Sequence, residues 1–124
     1  MTAEVGSLKF LLERHVVDVG TEISTTIPIM NSNPDNILIE TPLRIGFGLY
    51  TLFIYNRWTF ISEISERVEE LKGQKLTSIR TVSETMELLF NSADVIQIDM
   101  SDNGYIGPEA LVLNGPNNLT VVWN

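Results

Sequence analysis

From Lys75 onward the chain alternates short apolar runs with clusters of turn-forming residues. KLTSIRTV, ETMELLF, VIQIDM, EALVL and LTVVW are punctuated by NSAD, SDNG and NGPNN. Runs of that length, rich in β-branched residues and bounded by Asn, Asp, Gly and Pro, read as strands. Links so short join antiparallel neighbours. The stretch from residue 101 to 124 therefore closes the fold as two strands joined through NGPNN. Strict alternation turns Leu111, Leu113, Leu119, Val121 and Trp123 toward the core.

The first half follows the same pattern less cleanly. HVVDV (15 to 19), STTIPIM (24 to 30) and NILIE (36 to 40) read as strands, with NSNPDN (31 to 36) as a turn. LRIGFGLYTLFIY is strand-like too, with a bulge or bend at Gly46 and Gly48, and Asn56-Arg57 turns it into WTFI.

Two segments carry a helical period. Leu8, Leu11 and Leu12 share one face of a short helix over Ser7 to Arg14. The better-marked helix opens at Ser62 as N-cap, holds Glu63 and Glu66 in its first turn, and ends at Gly73. Its stripe of Ile64, Val68 and Leu71 suits a helix lying on a sheet. The expected fold is a single α+β domain over residues 1–124. In it, one antiparallel sheet, twisted or partly closed, is covered by one or two helices. An internal ββ duplication is also suggested. IPIMNSNPDNILIE (27 to 40) parallels ELLFNSADVIQID (87 to 99), and LLERHVVDV parallels LKGQKLTSI, which would give pseudo-twofold order around the central helix.

Composition excludes several function classes. The chain has 124 residues and 44% hydrophobic content, with a mean hydropathy of +0.11, enough for one core and no second domain. Sixteen acidic against 8 basic residues give a net charge of −8, which repels phosphate backbones and anionic lipid. Neither nucleic acid nor a membrane surface is an expected partner. The apolar stretch Ile45 to Tyr55 falls short of the roughly 20 residues that cross a bilayer. The opening MTAEVGSLKFLLERH lacks the layout of a signal peptide, so cytoplasmic residence is the expectation. There is no cysteine, hence no disulfide, thiolate nucleophile or thiolate metal site.

Candidate chemistry is sparse. The sequence contains no GxSxG, P-loop, HExxH or GxGxxG motif, so no cofactor or catalytic site is expected. His15 is the lone histidine, and Asp18 has the opposite strand parity. Asp99 to Gly104 begins like a calcium loop, but Ala110 stands where the bidentate Glu belongs and Pro108 intrudes. The preferred reading is a turn in which Asp102 and Asn103 bond nearby amides and Gly104 takes a positive φ. Asn118-Leu119-Thr120 matches a glycosylation sequon but reads as part of a turn. Glu40 and Asp99 end the two repeat-like strands and are the one pair of carboxylates that the duplication would bring together as acid and base.

The ending GPEALVLNGPNNLTVVW, preceded by LKGQKLTSI and VIQID, resembles the carboxyl halves of small bacterial immunity-type proteins. These neutralise the toxins of neighbouring cells, as contact-dependent inhibition immunity proteins do. The resemblance covers about half the chain and rests on Gly107-Pro108-Glu109-Ala110 and Val122-Trp123. It carries over no site residues. It implies a non-enzymatic partner of a basic toxin, such as a nuclease, whose charge an acidic surface complements. The expected partner-binding side chains are Glu63, Glu66, Glu69 and Glu70 on the helix, with Asp99, Asp102 and Tyr105 near the SDNG turn. Trp58 is a second aromatic anchor candidate. Two other classes stay open: a small enzyme using Glu40, Asp99 or His15, and a ligand-binding or structural subunit that self-associates through strand edges.

Overall fold

The computed structural model describes residues 5–21, 26–28, 37–39, 42–105 and 109–123; for 5–7, 26–28 and 37–39 it describes the backbone alone. Glu40, half of the expected carboxylate pair, lies outside the described residues. The strands are β1 (Asp18–Thr21), β2 (Thr26–Pro28), β3 (Ile37–Ile39), β4 (Leu43–Gly46), β5 (Thr51–Ile54), β6 (Trp58–Ile61), β7 (Leu76–Val82), β8 (Thr85–Phe90), β9 (Val95–Asp99), β10 (Leu111–Asn114) and β11 (Thr120–Trp123).

The strands form two open sheets rather than one closed sheet. A five-stranded sheet has the order β1-β4-β5-β10-β11, a four-stranded sheet the order β6-β9-β8-β7, and β2 pairs only with β3. Every pairing is antiparallel. The expectation of one partly closed sheet is thus corrected. Asn56-Arg57 does not fold β6 back on β5; it carries the chain from the first sheet into the second, where β6 pairs with β9. Glycine explains the division of LRIGFGLYTLFIY: Gly48 sits at φ +85, a conformation that favours glycine, in the turn between β4 and β5.

The covering helices are corrected as well. Among the described residues the helical segments are 3-10 turns, Val5–Leu11, Val68–Leu71 and Asp102–Gly104. Ser62 does act as a cap, its Oγ accepting from the amides of Ile64 and Ser65, both at 3.2 Å. Propagation then fails. Ser65 Oγ accepts from the Arg67 amide at 3.1 Å, and Arg67 is extended at φ −106 and ψ 118. Such serine-to-backbone bonds compete with the helical ladder, and an isolated helix of this length is marginal without a buried face. The face is not there, because Ile64 is 79% exposed and only Val68 and Leu71 are buried. Residues three apart are the 3-10 spacing. Leu8 and Leu11 repeat that arrangement in the first segment.

The segments that follow the first two 3-10 turns clasp one another through reciprocal bonds. The Glu13 amide donates to the Leu76 carbonyl at 2.8 Å and the Gly73 amide to the Val16 carbonyl at 2.7 Å. Likewise Val16 donates to Gln74 at 2.7 Å and Leu76 to Arg14 at 3.1 Å. Positions 13 and 73, 14 and 74, and 16 and 76 exchange roles, and Glu13 and Gly73 both adopt positive φ. Sheet order repeats the exchange, since β10 of the second half completes the first sheet and β6 of the first half completes the second. This is not the expected order around a central helix, nor does it match 27–40 with 87–99. The β2–β3 hairpin belongs to neither large sheet, whereas β8–β9 lies inside one. The likeness of those two segments reflects shared hairpin chemistry.

The inner faces of both sheets meet in one core. Leu43, Ile45, Leu52, Ile54, Leu111, Leu113 and Trp123 from the first sheet join Met86, Leu88, Phe90, Ile96 and Ile98 from the second, with Leu8, Leu11, Val68 and Leu71. The outer faces differ in chemistry. Across the five-stranded sheet, Arg44, Phe53, Val112 and Val122 are in register. Across the four-stranded sheet the corresponding row is Arg80, Glu87, Gln97 and Thr59, polar on every strand.

Candidate binding groove

Three members of the polar row, Arg80, Glu87 and Gln97, are hydrogen-bonded to one another. Gln97 Nε2 donates to Glu87 Oε2 at 2.9 Å, and the Arg80 guanidinium donates to the other oxygen of the same carboxylate. Glu87 is 7% exposed. The bonds from Gln97 and Arg80 hold its carboxyl below the ordinary range, against the opposing effect of burial. These partners fix three side chains in place and give the outer face of the sheet a rigid polar floor.

From the Gln97–Thr59 end of this row a groove of about 540 Å³ extends along the sheet. Thr59 of β6, Thr85 of β8, and Gln97 and Asp99 of β9 line it, and Ser83, Glu84, Arg57 and Ser101 form its rim. Ser83 lies at φ +54 in the β7–β8 turn, and the Met100 amide donates to the Glu84 carbonyl at 2.8 Å, tying that turn to the end of β9.

The Asp99 carboxylate is positioned by its own chain. Its Oδ1 accepts from the Ser101 hydroxyl at 2.6 Å and the Ser101 amide at 2.9 Å. These bonds, with a smaller contribution from the Arg57 charge, hold Asp99 below the ordinary carboxylate range. From below, Asn56, itself buried, donates its amide to the Asp99 carbonyl at 2.8 Å. The SDNG segment closes over this point: the Arg57 amide donates to the Gly104 carbonyl at 2.9 Å, and the Arg57 guanidinium donates to the Asn103 carbonyl. Gly104 lacks the positive φ expected of it. Its glycine requirement is one of space, since a Cβ there would stand 2.6 Å from Asp99 Cγ and overlap the Asp99 carbonyl. The residue that makes the turn is Asp99, rather than Asp102 or Asn103.

Other expected side chains fall elsewhere. Glu63, Glu66, Glu69 and Glu70 are exposed on the irregular segment between β6 and β7. That segment is tied to Asp94, which accepts from Gln74 Nε2 at 3.1 Å and from Ser62. Asp94 precedes β9 and Asp99 ends it, so the two acidic groups are separated by about 16 Å of strand. The fold does not merge them into one patch. Asp102 is exposed beside the groove, whereas Tyr105 and Trp58 are half-buried and pack against the core. His15 is exposed, with its backbone bridged to Lys75, and Asp18 pairs with Arg44 at 3.2 Å instead of with the histidine.

No family model, curated protein or solved structure matches this chain. The groove is therefore read from its own geometry. Of the groove's lining, sequence reasoning singled out only Asp99 and passed over Thr59, Glu84, Thr85 and Gln97. The signal was the period-two spacing of Thr85 with Glu87 and of Gln97 with Asp99, which places each pair on one sheet face.

The ionisation of these carboxylates predicts an acid dependence of stability. Burial raises the pKa of Asp94, but hydrogen bonds from Ser62, Gln74 and Ser92 outweigh it and leave the group lowered, as are Glu87 and Asp99. A group whose folded pKa is depressed contributes stability above its unfolded pKa and loses it as pH falls toward the folded value. The melting temperature should thus be flat above about pH 5 and decline progressively below about pH 4. Thermal melts across that range check this. An Asp94→Asn, Glu87→Gln double variant should show a shallower decline, and an equally steep one would count against these two groups as its source.

Proposed function

We propose that this protein neutralises a basic protein toxin, such as a nuclease, by binding it, and that the outer face of the four-stranded sheet is the docking surface. The observation that carries the reading is the groove: Glu84 and Asp99 border it, and neither forms an ion pair with a described residue. Set in a chain of net charge −8, that surface attracts a cationic protein and repels nucleic acid. The immunity-type resemblance of the carboxyl half agrees with a binding role, although it assigns no residue to the groove.

Co-expression with the product of an adjacent toxin-domain gene tests the reading. The two proteins should co-purify, and cells expressing the toxin should be rescued. No complex and no rescue would remove the proposal. The exposed glutamates at the other end of β9 serve as an outer electrostatic field. Reversing Glu66, Glu69 and Glu70 together should slow association at low salt and leave the melting temperature unchanged, because exposed charges add little stability. Stopped-flow mixing should show that difference shrinking beyond about 0.15 M salt, where the Debye length is about 8 Å. A rate indifferent to both salt and substitution would place the interface away from this segment.

A further inference from the structure

We infer that the groove is a receptor for a guanidinium group, the side chain of an arginine presented by the partner; this rests on the binding role proposed above. The groove holds unused hydrogen-bonding capacity. Gln97 commits its Nε2 to Glu87 on β8, leaving its Oε1 without a donor among the described residues, and Thr59 on β6 is its neighbour in register. Asp99 receives both Ser101 bonds on Oδ1, leaving Oδ2 without a donor among the described residues. Glu84 likewise has no side-chain partner there. Thr59 and Thr85 add hydroxyls that accept as readily as they donate.

Lone pairs therefore exceed donors along this wall. Arg57, the cation on the rim, already gives one guanidinium nitrogen to the Asn103 carbonyl, and it stands against two carboxylates. Glu87 and Arg80 neutralise one another within the floor. The complementary ligand is a cation rich in donors and free of acceptors.

Guanidinium fits better than ammonium. Gln97 and Asp99 are two residues apart on one strand, so their side chains leave the sheet about 7 Å apart on one face. Glu84 reaches the same space from the β7–β8 turn. A planar fork with five N–H donors bridges acceptors spread in this way, whereas an ammonium is a point charge that satisfies one neighbourhood at a time. The acceptors are held by backbone and neighbouring side chains before the ligand arrives, which limits the ordering cost of binding.

The test is a titration of the purified protein with N-acetyl-arginine amide and, separately, N-acetyl-lysine amide at low salt, followed by amide NMR shifts. The arginine compound should saturate shifts at Thr59, Thr85, Gln97 and Asp99, more tightly than the lysine compound. Glu84→Gln, an exposed change in a turn, should weaken it about tenfold or more, the scale of a hydrogen bond to a charged group. Asp99→Asn keeps an oxygen for Ser101 and should weaken it similarly. Shifts that do not saturate, that map to residues 63–70, or that survive Glu84→Gln would overturn the assignment. Toxin binding separates the two claims. A toxin bound equally by wild type and Glu84→Gln overturns the guanidinium receptor and leaves the neutralising role standing. Groove binding of the arginine compound, with no toxin bound by wild type, supports the receptor and removes that role.

Discussion

Trp123→Ala should lower the unfolding free energy by about 3 kcal/mol, the scale for deleting a large buried aromatic. Trp123 ends β11, is 3% exposed and belongs to the central cluster. It pairs with Leu111 on β10, and its carbonyl accepts from the Ala110 amide at 2.7 Å, so the side chain cannot move outward without unzipping that edge. For a domain of this size the loss corresponds to roughly 10 °C in melting temperature. Trp123→Phe is the informative companion. The indole Nε1 is buried without a hydrogen-bond partner among the described residues, and removing an unsatisfied donor returns part of what the smaller ring loses. The phenylalanine variant should therefore melt well above the alanine variant. An alanine variant with the wild-type melting temperature would mean that β11 is not packed on the core.

That tryptophan also shows what the sequence could convey. β7 to β11 were legible because each is a short alternating run between strong turn formers, and because hairpin pairing is a local matter. The β10–β11 turn is a case in point. Asn117 and Asn118 sit at φ 60 and φ 62, the pair of positive values that a tight hairpin turn requires and Asn tolerates. Alternation placed Leu111, Leu113 and Trp123 correctly in the core. It did not show that Val112 is also buried, since on the outer face it stands between Phe53 and Val122 on the neighbouring strands, a cross-strand pairing that alternation within one strand does not reveal.

What the sequence concealed was decided between distant segments. Ile64, Val68 and Leu71 have a helical period, yet whether they are helical depends on a surface to receive all three, and only two find one. Period two tells which side chains share a face without telling which strands share a sheet. The separation of β5 from β6 turns on Ala110, whose carbonyl takes the amides of Tyr55 and Asn56 at 2.9 and 3.2 Å. Nothing near Asn56 in the chain announces that contact. The groove is non-local for the same reason, assembled from β6, β8, β9 and two turns, while a count of acidic residues gave equal weight to Glu66 and Asp99.

Gly104→Ala should be the most damaging single change near the groove. Gly104 is buried, closes the Asp102–Gly104 turn through a bond from its amide to the Ser101 carbonyl at 2.9 Å, and gives its carbonyl to Arg57. An added methyl would meet the carbonyl, Cγ and Cβ of Asp99. The carbonyl cannot yield, because the Asn56 side chain is bonded to it from beneath, and the neighbouring Asp99 amide is held by the Arg57 carbonyl at 2.9 Å. Relief must come from lifting the SDNG turn, and that breaks the bond from Arg57 to Gly104. Overpacking of this kind costs about 1–3 kcal/mol, with the upper end expected where the obstructing atoms are backbone. The second consequence is functional. As the turn lifts, Ser101 leaves Asp99, the carboxylate loses its orientation and its pKa returns toward the ordinary range. Binding of N-acetyl-arginine amide should fall with stability, whereas Asp102→Ala in the same turn, exposed and without a side-chain bond among the described residues, should change stability little. A Gly104→Ala protein that melts with the wild type and keeps its Asp99 and Ser101 amide shifts would show that the turn does not rest on Asp99.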